Sequence, residues 1–200
     1  MEEVTFFLDN LKFDWNITEF IAVAFSILYV ILAAKENIYC WTAAAISVSI
    51  YIYLCYSAKL YAETFLQFFY LIMAFVGYYN WSRSNLKSKK LSIQEWSINK
   101  HFMLIILGAI SSLIMGFLLT SYTDAEIATL DSFTTIFSLF ATYLVVKKII
   151  ENWLYWIVID IAAVYLYFEK GLLLTSLLFI IYTVIAIFGY FKWLEKLERE

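Results

Sequence analysis

Seven runs of apolar residues, each close to the length that crosses a bilayer, constrain the fold more than any other feature of this sequence. They cover about residues 17–34, 38–56, 62–81, 102–120, 131–146, 152–168 and 172–192. A spanning helix needs about 17 to 25 residues to cross a hydrocarbon core of roughly 30 Å. With 64% hydrophobic and only 16% charged residues, the sequence predicts an all-α integral membrane protein with a single transmembrane domain over residues 1–200.

The basic residues predict the orientation of these spans, because Lys and Arg accumulate in short cytoplasmic loops. If the N-terminus lies outside, only Lys12, Lys59 and Lys170 of the 14 basic residues fall outside. We therefore expect a multi-pass membrane protein with its N-terminus outside and a cytoplasmic C-terminus. The N-terminal residues contain no basic segment and cleavage site of the kind that a removable signal peptide carries.

A shift of the chain by 112 residues aligns residues 18–81 with 130–193 without a gap. The alignment matches residue types that are rare in apolar segments, as in the pairs Trp41 with Trp153 and Gly77 with Gly189. Each copy holds three spans, and an additional span at 102–120 restores the same orientation in the second copy. The sequence therefore predicts parallel three-helix repeats at 15–81 and 130–193 joined by a linker helix, an arrangement typical of transporters. A duplicated bundle without a transport role is the alternative.

The sixth span opens with ENWLYWIVID, in which polar residues and two tryptophans lie among leucines and isoleucines. Asn152, Trp156 and Asp160 are four residues apart, so they and Trp153 lie on one side of a helix. Asp160 falls near mid-span, where an isolated charge costs about 3 kcal/mol on insertion scales. We expect this face to bind substrate, with Trp156 stacked on a flat ring. A structural hydrogen-bond role for Asp160 is the alternative.

Other polar residues within the spans are weaker candidates for binding substrate. Gln67 and Tyr70 lie one turn apart on the third span, and Tyr182 is the repeat counterpart of Tyr70. The two tyrosine hydroxyls could face each other across the pseudo-twofold axis, although helix packing explains them equally well. A serine such as Ser47 more often joins two helices than contacts substrate. Glu19, near the outer end of the first span, could be a charge at the substrate entrance or simply solvated.

Tryptophans near the ends of spans are expected in the aromatic belt, where indole rings sit at the membrane interface. Trp41, Trp81 and Trp193 are of this kind. Trp153 is assigned to the belt and to substrate binding with equal weight.

Several classes of function lack their signatures. With glycine only at residues 77, 108, 116, 171 and 189, the chain has no GxxxxGK loop for nucleotide hydrolysis, and it has no HExxH or GxSxG motif. Cys40 and Cys55 lack metal-ligand spacing. The formal net charge of −3, without a basic patch, argues against nucleic-acid binding. We expect no enzymatic activity, no cofactor and no metal.

Four segments together resemble the PnuC family of bacterial vitamin transporters over nearly all of residues 15–193. They are AKENIYCW, LYAETFLQ, ENWLYWIVID and the GYYNW and GYFKW ends of the third and seventh spans. The resemblance implies a seven-helix SWEET-like fold that assembles as a homotrimer in the bacterial inner membrane. It also implies facilitated diffusion of nicotinamide riboside or a related vitamin, made one-way by a cytoplasmic kinase that phosphorylates it. It extends substrate binding to Asn152, Trp153 and Trp156, and to Gln67 and Tyr70.

One departure from the family pattern affects the substrate. Members that carry nicotinamide riboside tend to have asparagine where this chain has Asp160, so thiamine, a cation with an amino group, is a close second candidate. Proton-coupled transport through Asp160 and a non-transporting membrane sensor are the alternative functions.

Overall fold

The computed structural model describes residues 17–57, 61–86, 91–123, 127–169 and 171–199. These residues form seven α-helices at the seven predicted positions, so the predicted all-α fold with seven helices is confirmed. The helices are α1 (Ile17–Ala34), α2 (Tyr39–Ser57), α3 (Tyr61–Leu86), α4 (Ile98–Tyr122), α5 (Ala128–Val146), α6 (Asn152–Glu169) and α7 (Leu173–Leu197).

Five of these helices are long and apolar enough by themselves to cross a membrane: α1, α2, α4, α5 and, over Thr175–Leu197, α7. The remaining two described helices are less apolar, because α3 contains Glu63 and Gln67 and α6 contains Asn152 and Asp160. Polar residues in a spanning helix face the bundle interior or a water-filled cavity. The sequence of α3 and α6 therefore suits helices that line an interior pathway.

Six helices close into a ring. Within each group of three, neighbours in sequence pack together (α1 with α2 and α2 with α3; α5 with α6 and α6 with α7), and the contacts of α1 with α7 and of α3 with α5 join the groups. Under the 112-residue shift, α1 corresponds to α5 and α3 corresponds to α7. The contact of α1 with α7 is therefore the counterpart of the contact of α5 with α3. This packing is what two parallel three-helix repeats produce.

The linker helix α4 lies outside this ring and packs mainly along α5. Its first turn also reaches α6, where His101 forms a 3.1 Å hydrogen bond with the Tyr155 hydroxyl. Its buried residues recur every four positions, as Leu104, Gly108, Ser112 and Gly116. A Cβ on Gly108 would lie 2.7 Å from the Phe137 ring. The small residues thus let α4 approach α5 closely, as is typical of helix pairs in membranes.

The turns that follow α1 and α5 are counterparts under the same shift and have the same hydrogen bonds. Asn37 N–H donates to the Leu32 carbonyl at 2.9 Å, and Ile149 N–H donates to the Leu144 carbonyl at 2.9 Å. Both bonds span five residues, which is the Schellman pattern that ends many helices. We call the end of the bundle that carries these turns and the last turn of α7 the basic end.

The segment between α3 and α4 lies along the second of these turns. Gln94 exchanges two backbone hydrogen bonds with it, to the Lys148 carbonyl and from the Ile150 N–H, both at 2.9 Å. The Trp96 N–H donates to the Glu151 carboxylate. These bonds fix the connection to the linker helix at the basic end.

Candidate substrate site

The polar residues of α6 face the interior, as predicted. Asn152, Trp153 and Asp160 are 0%, 2% and 3% exposed, and Trp156 is half-buried. The opposite side of α6 carries the exposed apolar side chains Leu154, Val158, Ile161 and Tyr165. The expected common face is therefore present, with its polar groups turned away from the surface that meets lipid.

Asp160 makes no hydrogen bond or ion pair with any residue in the part of the chain that the structure describes. The hydroxyl of Tyr182, on α7, lies within electrostatic reach of its carboxylate. Buried carboxylates ordinarily have hydrogen-bonding or ionic partners. The alternative that Asp160 is retained as a hydrogen-bond partner of another helix thus gains no support from the described contacts.

Tyr182 and Tyr70 contact serines rather than each other. The Tyr182 hydroxyl forms a hydrogen bond with the Ser26 hydroxyl on α1, and Tyr70 interacts with Ser138 on α5. Ser26 and Ser138 are counterparts under the 112-residue shift, so the two pairs repeat one contact at the two joints of the ring. Each hydroxyl thus has a serine of the other repeat beside it, which favours the helix-packing alternative over hydroxyls that face each other across the axis.

Trp153 packs inside the bundle against α7. Its ring lies edge-on to Trp193 with ring centroids 5.5 Å apart, and a Cβ on Gly189 would lie 2.8 Å from it. The first repeat has the same arrangement, because Trp41 lies edge-on to Trp81 with ring centroids 5.4 Å apart and a Cβ on Gly77 would collide with the Trp41 ring.

The aromatic-belt assignment of these tryptophans was wrong. Trp41, Trp81, Trp153 and Trp193 are only 1% to 4% exposed, whereas a belt residue must reach the interface. Glycines opposite the rings create the space that draws them into the interior. The indole N–H groups of Trp41, Trp81 and Trp153 have no acceptor in the described structure.

Trp156 lies one turn deeper than Trp153, at the junction of the two groups of buried apolar residues. It packs against both, namely the group around the four tryptophans and the group of α4, α5 and α6 around Phe137 and Ile159. Its half-buried ring and the Asp160 carboxylate are one helical turn apart. An aromatic face and a carboxylate so placed can hold a flat cation.

The remaining candidates differ in their surroundings. Asn152 donates from Nδ2 to the Ile149 carbonyl at 2.6 Å, while its Oδ1 is buried without a partner. Gln67 is half-buried and Glu19 is exposed at the start of α1. Ser47 donates to the Ala22 carbonyl at 2.8 Å, which joins α2 to α1 and accounts for this serine without a ligand.

Sequence reasoning missed two features of the interior. Ser26 and Ser138 are identical residues in the alignment of the repeats, and this identity was the available signal for their shared role. The second feature is an electrostatic interaction between Tyr51 on α2 and Tyr167 on α6. It was missed because the spacing of these tyrosines in the sequence does not distinguish them from tyrosines that face lipid.

The sequence model that describes a nicotinamide mononucleotide transporter matches residues 16–195. The chain is 26% identical to the nicotinamide riboside transporter PnuC of Neisseria mucosa over 90% of this chain and 72% of the relative. It is 24% identical to PnuC of Escherichia coli over 92% of this chain and 87% of the relative. The riboflavin/roseoflavin transporter RibM of Streptomyces davaonensis is 21% identical over 65% of this chain and 62% of that protein.

The fold is also that of a solved structure, the crystal structure of the vitamin B3 transporter PnuC. The two agree with a TM-score of 0.73 over 98% of this chain and 87% of the other, at 23% sequence identity. With a family match over nearly the whole chain, this protein belongs to the nicotinamide mononucleotide transporter family and is a membrane transporter rather than an enzyme.

Proposed function

We propose that this transporter takes up a small vitamin that contains a positively charged aromatic ring. The observation that carries the proposal is Asp160, a 3% exposed carboxylate without a hydrogen-bonding or ionic partner among the described residues, one turn from the ring of Trp156. A charge in the membrane interior is retained where it has a function. A cationic substrate supplies the partner that the protein does not.

The two residues have separate roles in this proposal. Trp156 stacks on the ring of the substrate, a contact worth about 1 to 2 kcal/mol when desolvated. Asp160 pairs with the ring charge or with an amino group, in surroundings that strengthen the pairing over its value in water. The unpartnered Oδ1 of Asn152 and the half-buried Gln67 are available for polar groups of the substrate.

Nicotinamide riboside and thiamine both satisfy this chemistry. The PnuC relatives carry the name of nicotinamide riboside, and its pyridinium ring is a flat cation. Thiamine has a positive thiazolium ring and an aminopyrimidine that can donate to a carboxylate. The family resemblance implies asparagine at this position in carriers of nicotinamide riboside. An aspartate at position 160 therefore favours thiamine more than an asparagine would.

Calorimetric titration of the purified protein tests the proposal. We expect nicotinamide riboside or thiamine to bind, and riboflavin, which carries no positive ring, to bind much more weakly. Tight binding of riboflavin, with neither cation binding, would contradict it.

The direction and energetics of uptake belong to the same proposal. We propose facilitated diffusion into the cytoplasm with the N-terminus outside, because the sequence provides no nucleotide-hydrolysing loop and the basic residues are concentrated at one end. Phosphorylation by a cytoplasmic kinase would make uptake one-way. The exposed apolar side chains of α4 suit contact with neighbouring subunits in a homotrimer, and light scattering of the detergent-solubilised protein gives the subunit number.

The same carboxylate also supports a second candidate function. An unpartnered Asp160 would serve as the protonatable group of a proton-coupled transporter. A pH gradient imposed across liposomes separates the two, because only the coupled transporter would accumulate substrate. Absence of any flux would indicate a membrane sensor.

A further inference from the structure

A cluster of three charged side chains connects the two repeats at the basic end. Lys148, in the turn after α5, donates to one carboxylate oxygen of Glu36 at 2.8 Å, and Lys196, in the last turn of α7, donates to the other at 2.6 Å. Glu36 belongs to the first repeat, Lys148 belongs to the second, and Lys196 lies at the end of α7, the last helix of the second repeat. The side chains of Glu36 and Lys148 are only 9% and 10% exposed. We call these three residues the clasp.

Glu36 and Lys148 both have a left-handed backbone conformation, which is unfavourable for residues with a side chain. These two residues have φ angles of 50° and 54°, and they are the non-glycine residues with positive φ in the described structure. Both occupy the left-handed position of a Schellman turn, where glycine is usual. A side chain there costs of order 1 to 3 kcal/mol, so two charged residues in the paired turns point to a function that glycine could not supply.

Duplication alone would not produce this contact. The alignment of the repeats places Glu36 opposite Lys148, and the neighbouring residues Lys35 and Lys147 are identical. Two identical charges at the point where the turns meet would repel. The sequence instead has opposite charges at this position, where the two side chains form an ion pair.

Further contacts between the repeats surround the clasp. The Lys148 ammonium lies 4.6 Å from the centroid of the Trp81 ring, and the Trp193 indole N–H donates to the Ala33 carbonyl at 3.2 Å. Each contact joins one repeat to the other. Beside Glu36, a cleft of about 220 Å³ opens at the surface, lined by residues that include Lys35, Lys192 and Arg199. Water therefore reaches the edge of the clasp.

The Glu36 carboxyl of the clasp is ionised at neutral pH. Burial by itself would raise the pKa of Glu36, but hydrogen bonds and charges from Lys148 and Lys196 outweigh it and lower the pKa of this carboxyl. A charged cluster that borders on water can exchange its internal ion pairs for hydration when its members separate. Such an exchange costs less than the separation of an ion pair deep in the membrane.

We propose that Glu36, Lys148 and Lys196 form the gate at the basic end of the transporter, closed in this structure and released when the repeats separate to let substrate pass. The inference rests on the proposed transport function, because a gate serves a substrate pathway between the repeats. It is independent of which vitamin is carried. In a transporter built from repeats, access alternates as one repeat moves against the other.

A native cysteine provides the test. Cys40 lies in the first turn of α2 and is 0% exposed. Its N–H donates to the carbonyl of Asn37, the residue that follows Glu36. In a Cys55→Ser background it is the single thiol, so its alkylation by a maleimide reports opening of the basic end without any substrate. Failure of this test is thus distinguishable from failure of the proposed function, which binding and flux measure.

We expect Glu36→Gln to accelerate alkylation of Cys40 at least tenfold, which corresponds to about 1.4 kcal/mol in the equilibrium between closed and open forms. Lys196→Gln removes one of the two bonds to Glu36 at a partly exposed lysine, so we expect roughly a two- to fivefold acceleration. The matched control is Lys147→Gln, an exposed lysine in the same turn, which should leave the rate unchanged. Circular dichroism melting shows that each variant is folded at the labelling temperature.

The combination of Glu36→Gln with Lys148→Gln separates a gate from a general loss of stability. If the two residues act through their mutual contact, the double variant should react hardly faster than the Glu36→Gln variant. Rates that multiply, or a Cys40 that reacts equally slowly in the parent, Glu36→Gln and Lys196→Gln proteins, would overturn the proposal. Should Glu36→Gln fail to fold, the rate in the Lys196→Gln variant alone decides, and an unchanged rate there would overturn it.

Discussion

Replacement of Asp160 by asparagine should separate the stability of this transporter from its selectivity. Asparagine has nearly the same shape as aspartate but carries no charge. The carboxylate is 3% exposed and has no described hydrogen-bonding or ionic partner, so its removal leaves no protein group unpaired. Because an uncompensated charge in the membrane costs free energy, Asp160→Asn should melt at the same temperature as the parent or higher.

Binding should change in the opposite direction. A hydrogen bond to a charged group contributes about 1.5 to 3 kcal/mol. At about 1.4 kcal/mol per tenfold change in Kd, the substitution should weaken binding of thiamine by roughly ten- to a hundredfold. Nicotinamide riboside should lose less, or even gain, because the family resemblance implies asparagine at this position in members that carry it.

The assay combines thermal melting with calorimetric titration of both vitamins, in the parent and in two variants. Glu169→Gln is the control, since Glu169 is an exposed carboxylate at the other end of the same helix, and it should leave both Kd values unchanged. An Asp160→Asn protein that aggregates or loses its thermal transition, while its folded fraction binds both vitamins normally, would refute the reasoning. Asp160 would then be a structural partner of another helix.

Four further changes test other parts of the account. Trp156→Ala should raise the Kd of the bound vitamin at least tenfold without unfolding, and an unchanged Kd would exclude ring stacking. Gly77→Ala places a methyl group against Trp41 and should destabilise the protein by about 1 to 3 kcal/mol, whereas Val76→Ala at the exposed neighbouring position should not. The difference in melting temperature between the parent and Glu36→Gln should be full at neutral pH and vanish as the pH falls through the lowered pKa of Glu36; a difference that does not depend on pH would contradict the ion pairs. In a background without native cysteines, an impermeant reagent should label Thr123→Cys from outside the cell but not Lys147→Cys, and the reverse result would invert the proposed orientation.

The positions of the helices could be predicted from the sequence because a bilayer requires long apolar runs, and seven such runs are visible. The interior face of α6 was also predictable, since Asn152 and Asp160 cannot face lipid at little cost. The repeat over 112 residues indicated which helices of the two halves correspond. Neither half alone would have indicated this, because its sequence looks like any three apolar spans.

Contacts between the repeats could not be predicted from the same patterns. A tryptophan near the end of a span can face lipid or the interior, and the difference for Trp41 and Trp153 lies in Gly77 and Gly189, which are more than 35 residues away in the chain. The pairing of Tyr182 with Ser26 depends on how α7 meets α1. Similarly, the alignment places Glu36 opposite Lys148, but only the closed ring brings the two turns into contact.

Flux through liposomes that contain the purified protein tests the central claim most directly. The account predicts that radiolabelled nicotinamide riboside or thiamine enters until its concentrations inside and outside are equal, without any imposed gradient, and that Trp156→Ala slows this entry. Accumulation above the external concentration under an imposed pH gradient would show proton coupling instead of facilitated diffusion. No entry of either vitamin, from a protein that melts cooperatively, would contradict the claim that this chain carries a cationic vitamin across the membrane.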